Sequence, residues 1–251
     1  STSTATIRFT KAETANLLHE ANHAYQTQAD ELLLAALGMA LRDWTRADDV
    51  KVFLEKDGRE SAAKGLDVSR TVGWFHSLFP VVLSAAKSGD PGEQIKQVKE
   101  MLRAIPHQGS GYSILKQLTD LRHKHPDDFT LQPKIVVHAW EQLDAGLETD
   151  WLTLSHLPQG SVRGANAERM QQLDVFSKIS NGELTIHMQY HRDEYRKATI
   201  DKLMELYHAH LNALLAHCLQ KTETELTPSD FVDKNLSRSE LDDIMDLISD
   251  L

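Results

Sequence analysis

The sequence predicts an α/β or α+β fold built as a single lobe. Apolar residues recur at helical spacing in several long stretches, and short runs of β-branched and apolar residues lie between them. The 251 residues are 41% apolar and 25% charged, so the chain can bury a full core. We expect one lobe over residues 1–225 and a tail over residues 226–251 that contains a short acidic helix.

Two helices are predicted first, in "FTKAETANLLHEANHAY" and "QADELLLAALGMALRDW". Thr10 and Asp30 are candidate N-caps, because their side chains can accept hydrogen bonds from the first exposed N–H groups of a helix. "VKVFLEK" then predicts a strand, and "TVGWFHSLFPVVLSA" predicts extended structure that breaks at Pro80. "GEQIKQVKEMLRAI" predicts a helix that ends before Pro106.

The remaining elements continue the alternation. "GSGYSILKQLTDLRHKH" predicts a turn and a helix, and strands are predicted in "PKIVVHAW" and "GELTIHMQYH". In the second strand Leu184, Ile186 and Met188 fall on one face. The longest helix is predicted in "EYRKATIDKLMELYHAHLNALLAHCLQ" and the tail helix in "SRSELDDIMDLISDL". Residues 160–169 and "TETELTPSD" are the only linker-like stretches.

Charge and composition exclude several classes of protein. The formal net charge is −10 with no basic block, which argues against a nucleic-acid binder. The single cysteine, Cys218, and the lack of an apolar run long enough for a membrane span or signal peptide favour the cytoplasm and no membrane partner. His187 and His191 lie four apart on a strand, and His208 and His210 diverge on a helix, so we expect no metal.

The stretch "VKVFLEKDGRE" ends a predicted strand in a cluster of charged residues. Side chains at the carboxyl ends of strands in α/β folds often project into a ligand crevice. The alternative is a solvated turn with local ion pairs. The position of this cluster at a strand end is compatible with both a ligand site and a solvated turn.

The neighbouring motifs favour a site. In order, the chain contains "DELLLAALG", "LEKDGRE", "RTVGWFHSLFPVVL", "IPHQGSGYSIL", "PKIVVHAWEQLD", "LDVFSKISNGELTIHMQYH" and "TPSDF". This series resembles the C-terminal half of the epimerization domains of nonribosomal peptide synthetases, in the condensation-domain superfamily. Their patterns are DxLLxAxG, EGHGRE, RTVGWFTxxYPxxL, PxxGxGYG and FNYLGQ. "RTVGWF", at Arg70 to Phe75, is identical to the family form.

The resemblance implies a chloramphenicol-acetyltransferase-like lobe, a mixed sheet flanked by helices. It implies inversion, L to D, of the α-carbon of an aminoacyl or peptidyl thioester carried on the 4′-phosphopantetheine arm of a peptidyl carrier protein. The family's other lobe carries an HHxxxDG motif, and no two histidines are adjacent in this chain. We therefore expect the N-terminal lobe and neighbouring synthetase modules as partners, an interdomain linker within residues 226–251, and no activity from this chain alone.

The resemblance also assigns site residues. Glu55 matches the first acid of EGHGRE and is the expected acid/base, with Tyr112 and His138 as further catalytic residues in the same crevice. Gly58 keeps the turn slim, and Arg59 fixes the loop or a carboxylate. The expected substrate-channel residues are Asp57, Gly58, Arg59, Trp74, Gly109 and Gly111, although core and lobe packing is the alternative for Trp74.

Departures from the family patterns leave a second interpretation open. Lys56 and Asp57 replace a glycine and a histidine beside Glu55, and they would shift its pKa in opposite directions. His138 stands at the position of the family's active-site asparagine. The alternative is a diverged condensation-type or degenerate lobe that binds carrier proteins and neighbouring domains without chemistry. If the chain is half of a domain, it should expose an apolar face for the other half.

Overall fold

A seven-stranded mixed sheet forms the centre of the molecule. The computed structural model describes residues 2–59, 67, 68, 70–120, 124, 129–138, 141, 142 and 171–231. Six strands run in the order β1-β7-β6-β4-β2-β3, and β5 pairs with β6. Neighbours β2 and β4, β4 and β6, and β5 and β6 are parallel, and the other pairs are antiparallel. The strands are β1 (Thr2–Arg8), β2 (Asp49–Asp57), β3 (His76–Ser84), β4 (Ile135–Val137), β5 (Glu141–Gln142), β6 (Leu173–Ser180) and β7 (Glu183–His191).

Five α-helices accompany the sheet in the described residues. The first continues through a π-helical turn, Asn16–Glu20, and a 3₁₀ turn, Ala21–Ala24, so it matches the long helix predicted there. Further 3₁₀ turns lie at Pro106–Gly109 and Pro228–Asp230. The helices are α1 (Lys11–Ala15), α2 (Ala29–Thr45), α3 (Pro91–Arg103), α4 (Ser110–Leu118) and α5 (Lys197–Gln220).

The core lies between one face of the sheet and the helices α2 and α5. Helix α2 is buried along most of its length, which suits its nearly continuous run of Leu and Ala. The sheet contributes alternate apolar residues, including Leu184, Ile186 and Met188 as predicted. This arrangement confirms the predicted α/β class with a mixed sheet flanked by helices.

Two local predictions were wrong. Gln28, not Asp30, is the N-cap of α2, and the Gln28 N–H donates to Glu31 Oε2 at 2.8 Å. Asp30 lies in the first turn of the helix instead. Strand β3 continues through Pro80, which pairs with Phe53, because β3 is an edge strand and an edge strand tolerates a residue without a backbone N–H. Thr10 is the N-cap of α1 as predicted, with Thr10 N–H donating to Glu13 Oε2 at 2.7 Å.

Three strands were not predicted, β1, β5 and β6. The helix predicted over residues 109–125 is observed as α4, which ends at Leu118. The tail helix at residues 237–251 and the linker-like residues 160–169 lie outside the described residues, and the domain boundary at residue 225 stays a prediction. None of the helices in the described ranges combines the length and the apolar character that a membrane crossing needs.

Candidate functional site

A cavity of about 490 Å³ lies where β2 and β4 end and α2 begins. Because β2 and β4 are parallel, their carboxyl ends meet at the same edge of the sheet. Its lining includes Leu34, Asp30, Glu55, Lys56, Asp57 and His138. The charged end of "VKVFLEKDGRE" therefore borders this cavity.

Glu55 is buried at this edge and binds two histidines. Its Oε1 lies 2.7 Å from His76 Nδ1, and its Oε2 lies 2.6 Å from His138 Nδ1. Strand register explains the cluster. Leu54 pairs with Val137, so the next residues, Glu55 and His138, lie side by side, and the antiparallel β3 places His76 on the same face.

His138 is held on its other side by β6. Its Nε2 lies 3.1 Å from Asp174 Oδ1, and Asp174 is 1% exposed. The imidazole stacks on the Phe176 ring with centroids 4.1 Å apart and planes 3° apart. The His138 backbone N–H donates to the Val175 carbonyl at 2.9 Å. The ring therefore has a fixed position and a fixed plane.

The two histidines determine the direction of the Glu55 pKa shift. Burial raises the pKa of Glu55, but hydrogen bonds from His138 and His76 outweigh it and leave the pKa below its ordinary value. The sequence expectation had named Lys56 and Asp57 as the causes. Lys56 instead points to the α2 side of β2, where its ammonium pairs with Asp30.

Arg59 holds the loop after β2, which is one of the two roles expected for it. Its guanidinium donates to the carbonyls of Thr71 and Gly73 at 3.0 and 3.3 Å and lies over the Phe75 ring. Asp57 Oδ1 accepts from the Arg59 backbone N–H at 3.0 Å. The Gly58 N–H donates to the Phe75 carbonyl, which closes the turn between β2 and β3.

The other expected site residues do not bind the Glu55 carboxylate. Tyr112 is on α4, packs against Phe129, and does not line the cavity; its buried hydroxyl has no hydrogen-bond partner in the described residues. Gly109 lies against Phe79, whereas a Cβ on Gly111 would meet nothing within 4 Å. The structure thus joins Glu55 to His138 by a hydrogen bond and gives Tyr112 no hydrogen bond to either.

Trp74 is 82% exposed, and its ring centroid lies 4.7 Å from that of His76. Its indole therefore partly covers the histidine that binds Glu55.

Sequence reasoning missed two residues of the cluster, His76 and Asp174. A signal existed for the first, because His76 follows "RTVGWF" at the position where the family pattern has threonine. For the second the signal was weaker, an acid inside the apolar run "LDVFSKIS". In the described part of the chain no group of three His, Cys, Asp or Glu side chains is arranged to hold a metal ion.

A mixed sheet flanked by helices matches a lobe of the condensation or chloramphenicol-acetyltransferase-like fold. The sequence agrees, because residues 1–237 match the condensation-domain family. The chain belongs to that family.

Two solved structures resemble this chain to different degrees. The epimerization domain from the third module of tyrocidine synthetase B is 40% identical and superposes with a TM-score of 0.80, over 88% of this chain and 49% of that chain. A nonribosomal peptide synthetase with bound α-methyl-L-serine-AMP is 18% identical, with a TM-score of 0.59 over 86% of this chain and 23% of that one, and shares the fold.

Curated relatives are much longer than this chain. It is 41% identical to tyrocidine synthase 2 of Brevibacillus parabrevis over 98% of its own length and 7% of the relative's. It is 40% identical to surfactin synthase subunit 1 of Bacillus subtilis strain 168, over 97% and 7%. It is also 40% identical to gramicidin S synthase 1 of Brevibacillus brevis, over 97% and 23%.

Proposed function

We propose that this chain is the part of an epimerization domain that carries one wall of the reaction channel in a nonribosomal peptide synthetase. The parent would invert the α-carbon of an aminoacyl or peptidyl thioester from L to D. One observation carries the proposal: the buried Glu55 carboxylate lies at a cavity and is held by His76 and His138. The 40% identity to a solved epimerization domain supports it.

Inversion at an α-carbon needs a proton to leave one face and a proton to return to the other. Glu55 is the acid/base for one face in this proposal, and a group outside this chain serves the opposite face. The carbanion is an enolate, so donors must also meet the developing oxyanion.

The substrate would enter on a 4′-phosphopantetheine arm presented by a peptidyl carrier protein. The partners in the proposal are that carrier protein, the remaining half of the domain and neighbouring synthetase modules. The chain spans 49% of the solved epimerization domain, and several large apolar side chains are exposed on it. Those that lie before β3 and on α4 are Val72, Trp74, Ile114, Leu115 and Leu118. We assign this apolar surface to contact with the other half.

The test is Glu55→Gln in the intact parent. The amide keeps the shape of the side chain but cannot transfer the proton, so epimerization should fall by about 10² to 10⁴. Binding of the loaded carrier protein should not change. Deuterium wash-out from the α-carbon, measured separately for each loaded isomer, should be blocked from one isomer and retained from the other. Glu183→Gln, an exposed carboxylate at the start of β7, is the matched control.

A Glu55→Gln parent that epimerizes both isomers at the wild-type rate would contradict the proposal. That result, with carrier-protein binding intact, would favour the alternative that the lobe is a binding module without chemistry. Loss of binding together with activity would instead indicate that the substitution disturbed the fold.

A further inference from the structure

Both ring nitrogens of His138 face carboxylate oxygens. Nδ1 lies 2.6 Å from Glu55 Oε2, and Nε2 lies 3.1 Å from Asp174 Oδ1. An ionised carboxylate only accepts hydrogen bonds, and a neutral imidazole has only one N–H to donate. A neutral His138 can therefore satisfy one of these carboxylates but not both.

The number of protons that the cluster needs leads to the same conclusion. Three hydrogen bonds join His76 to Glu55, Glu55 to His138, and His138 to Asp174. Each needs one proton, and a neutral His76 supplies the first. An imidazolium at His138 supplies the protons for the other two hydrogen bonds. A neutral His138 supplies only one of them, and the other proton must then come from a protonated carboxyl group of Glu55 or Asp174.

We propose that His138 is held as an imidazolium between Glu55 and Asp174, and that this cation is a positioning group that keeps the Glu55 carboxylate ionised and fixed in place. The inference rests on the proposed function for its role in the reaction. The protonation state itself can be tested without that function. Asp174 is then a positioning residue too, because it acts on Glu55 through the imidazole.

The surroundings of His138 favour the cation. Asp57 lies on the same face of β2 as Glu55, but its carboxylate pairs with the Arg59 guanidinium at 3.7 Å, so the charge of this pair largely cancels. Phe176 offers an aromatic face to the flat ring, and aromatic faces attract cations. The cation of Lys56 is engaged with Asp30 on the α2 side of the sheet.

The other titratable groups near His138 in the described residues do not contact its ring directly. His76 on β3 binds Glu55, and His187 on β7 binds the Thr6 hydroxyl at 2.9 Å. Lys178 follows Phe176 by two residues on the same face of β6, where its charge helps to lower the pKa of His187, after burial and Arg8. His19 lies across the cavity. Two carboxylates in direct contact with His138 outweigh these more distant cations.

Ionisation matters for the chemistry of Glu55. The hydrogen bonds that Oε1 and Oε2 accept from the two histidines stabilise the ionised carboxylate against the cost of its burial. A carboxylate has about four lone-pair sites, so those two bonds still leave sites that can accept the α-proton. His138 thus keeps Glu55 in its base form before the substrate arrives.

The experiment is NMR of the intact parent domain with ¹⁵N-labelled histidine. Both His138 ring nitrogens should carry protons at pH 7, because each faces a carboxylate oxygen. His138→Asn identifies the signal by removing it. A neutral His138 tautomer at pH 7 in the wild type would overturn the proposal, and this measurement needs no destabilising variant.

Asp174→Asn is the second arm of the test. It should leave a smaller fraction of His138 with both ring nitrogens protonated at pH 7, because the carboxylate that faces Nε2 is lost. Asp43→Asn removes the carboxylate that binds His210 at 2.8 Å and should leave the His138 signal and the activity unchanged. An unchanged His138 signal in Asp174→Asn would contradict the proposal.

Activity measurements distinguish the proposed function from the inference about His138. An imidazolium signal together with a fully active Glu55→Gln parent would refute the proposed function but leave the His138 assignment standing. A neutral His138 together with an inactive Glu55→Gln parent would do the reverse.

Discussion

Lys99 is fully buried on α3, with its ammonium nitrogen 2.5 Å from Asp230 Oδ2. The same ammonium donates to the Tyr25 carbonyl at 2.6 Å, and Arg103 donates to Asp230 Oδ1 at 2.7 Å. The Thr227 N–H also donates to Asp230 at 2.8 Å. This network attaches the 3₁₀ turn of "TPSDF" to α3.

Asp230→Asn should destabilise the intact domain by about 3 kcal/mol, because it leaves the Lys99 cation buried without its charge partner. Burial already lowers the pKa of Lys99, against the opposing effect of Asp230. In the variant that pKa should fall further. The unfolded chain then binds a proton that the folded chain does not, so the deficit should shrink as pH rises from 7 to 9.5.

Chemical denaturation at both pH values measures this effect. Glu225→Gln is the matched control, because its ion pair with Lys96 is more exposed and should be worth at most about 1 kcal/mol. A deficit for Asp230→Asn that is no larger than that of the control would show that the network does not hold the segment.

Two glycines of the "GSGY" segment should respond differently to alanine. Gly109 has φ +80°, and a Cβ there would lie 2.0 Å from Phe79 Cδ1. Gly109→Ala should therefore cost more than about 2 kcal/mol, the sum of backbone strain and a clash with a buried ring. Gly111 lies in the first turn of α4 with open space around it, so Gly111→Ala should be neutral or stabilising by up to about 1 kcal/mol. Thermal unfolding compares the two, and equal effects would contradict the assigned geometry.

How much of the fold could be predicted depended on the strength of each local pattern. Helices α1, α2, α3 and α5 have strong helical spacing and were predicted. Strand β1, "TSTATIR", carries almost no apolar residues to reveal it, although it pairs along its length with β7. In β6 the buried Asp174 interrupts the apolar run, so its pattern resembles neither an exposed nor a buried strand.

The candidate site shows the same limit. Glu55 and His138 could be predicted because the family motifs mark their positions in the sequence. His76 and Asp174 join them only through pairing between strands that lie far apart in the chain, β2 with β3 and β4 with β6. Spacing along a sequence does not give that register. Tyr112 was grouped with Glu55 by motif alone, and its hydroxyl makes no hydrogen bond to Glu55 or His138.

Trp74 and Leu118 test the apolar surface assigned to the other half of the domain. They are 82% and 79% exposed, and truncating side chains that stay exposed should cost less than about 0.5 kcal/mol. If the other half covers them, Trp74→Ser and Leu118→Ser should each destabilise the intact domain by about 2 kcal/mol. Leu219→Ser, at an exposed position near the end of α5, is the control. Three small and equal effects would remove this surface from the proposed interface.

His76 should set the acidic limit of activity in the parent through its hydrogen bond to Glu55. Glu55 must be ionised to accept a proton, so activity is lost as pH falls through its pKa, which the two histidine donors lower below the ordinary value. His76→Ala removes one donor and should raise that pKa, moving the acidic limb of the kcat/KM profile up by about one pH unit.

His76→Asn can keep an N–H near the position of Nδ1 and should restore most of the shift. A structural role for His76 predicts a different pattern, in which both variants lose activity at every pH and the acidic limb does not move. The comparison therefore distinguishes a residue that tunes the base from one that only supports the end of β3.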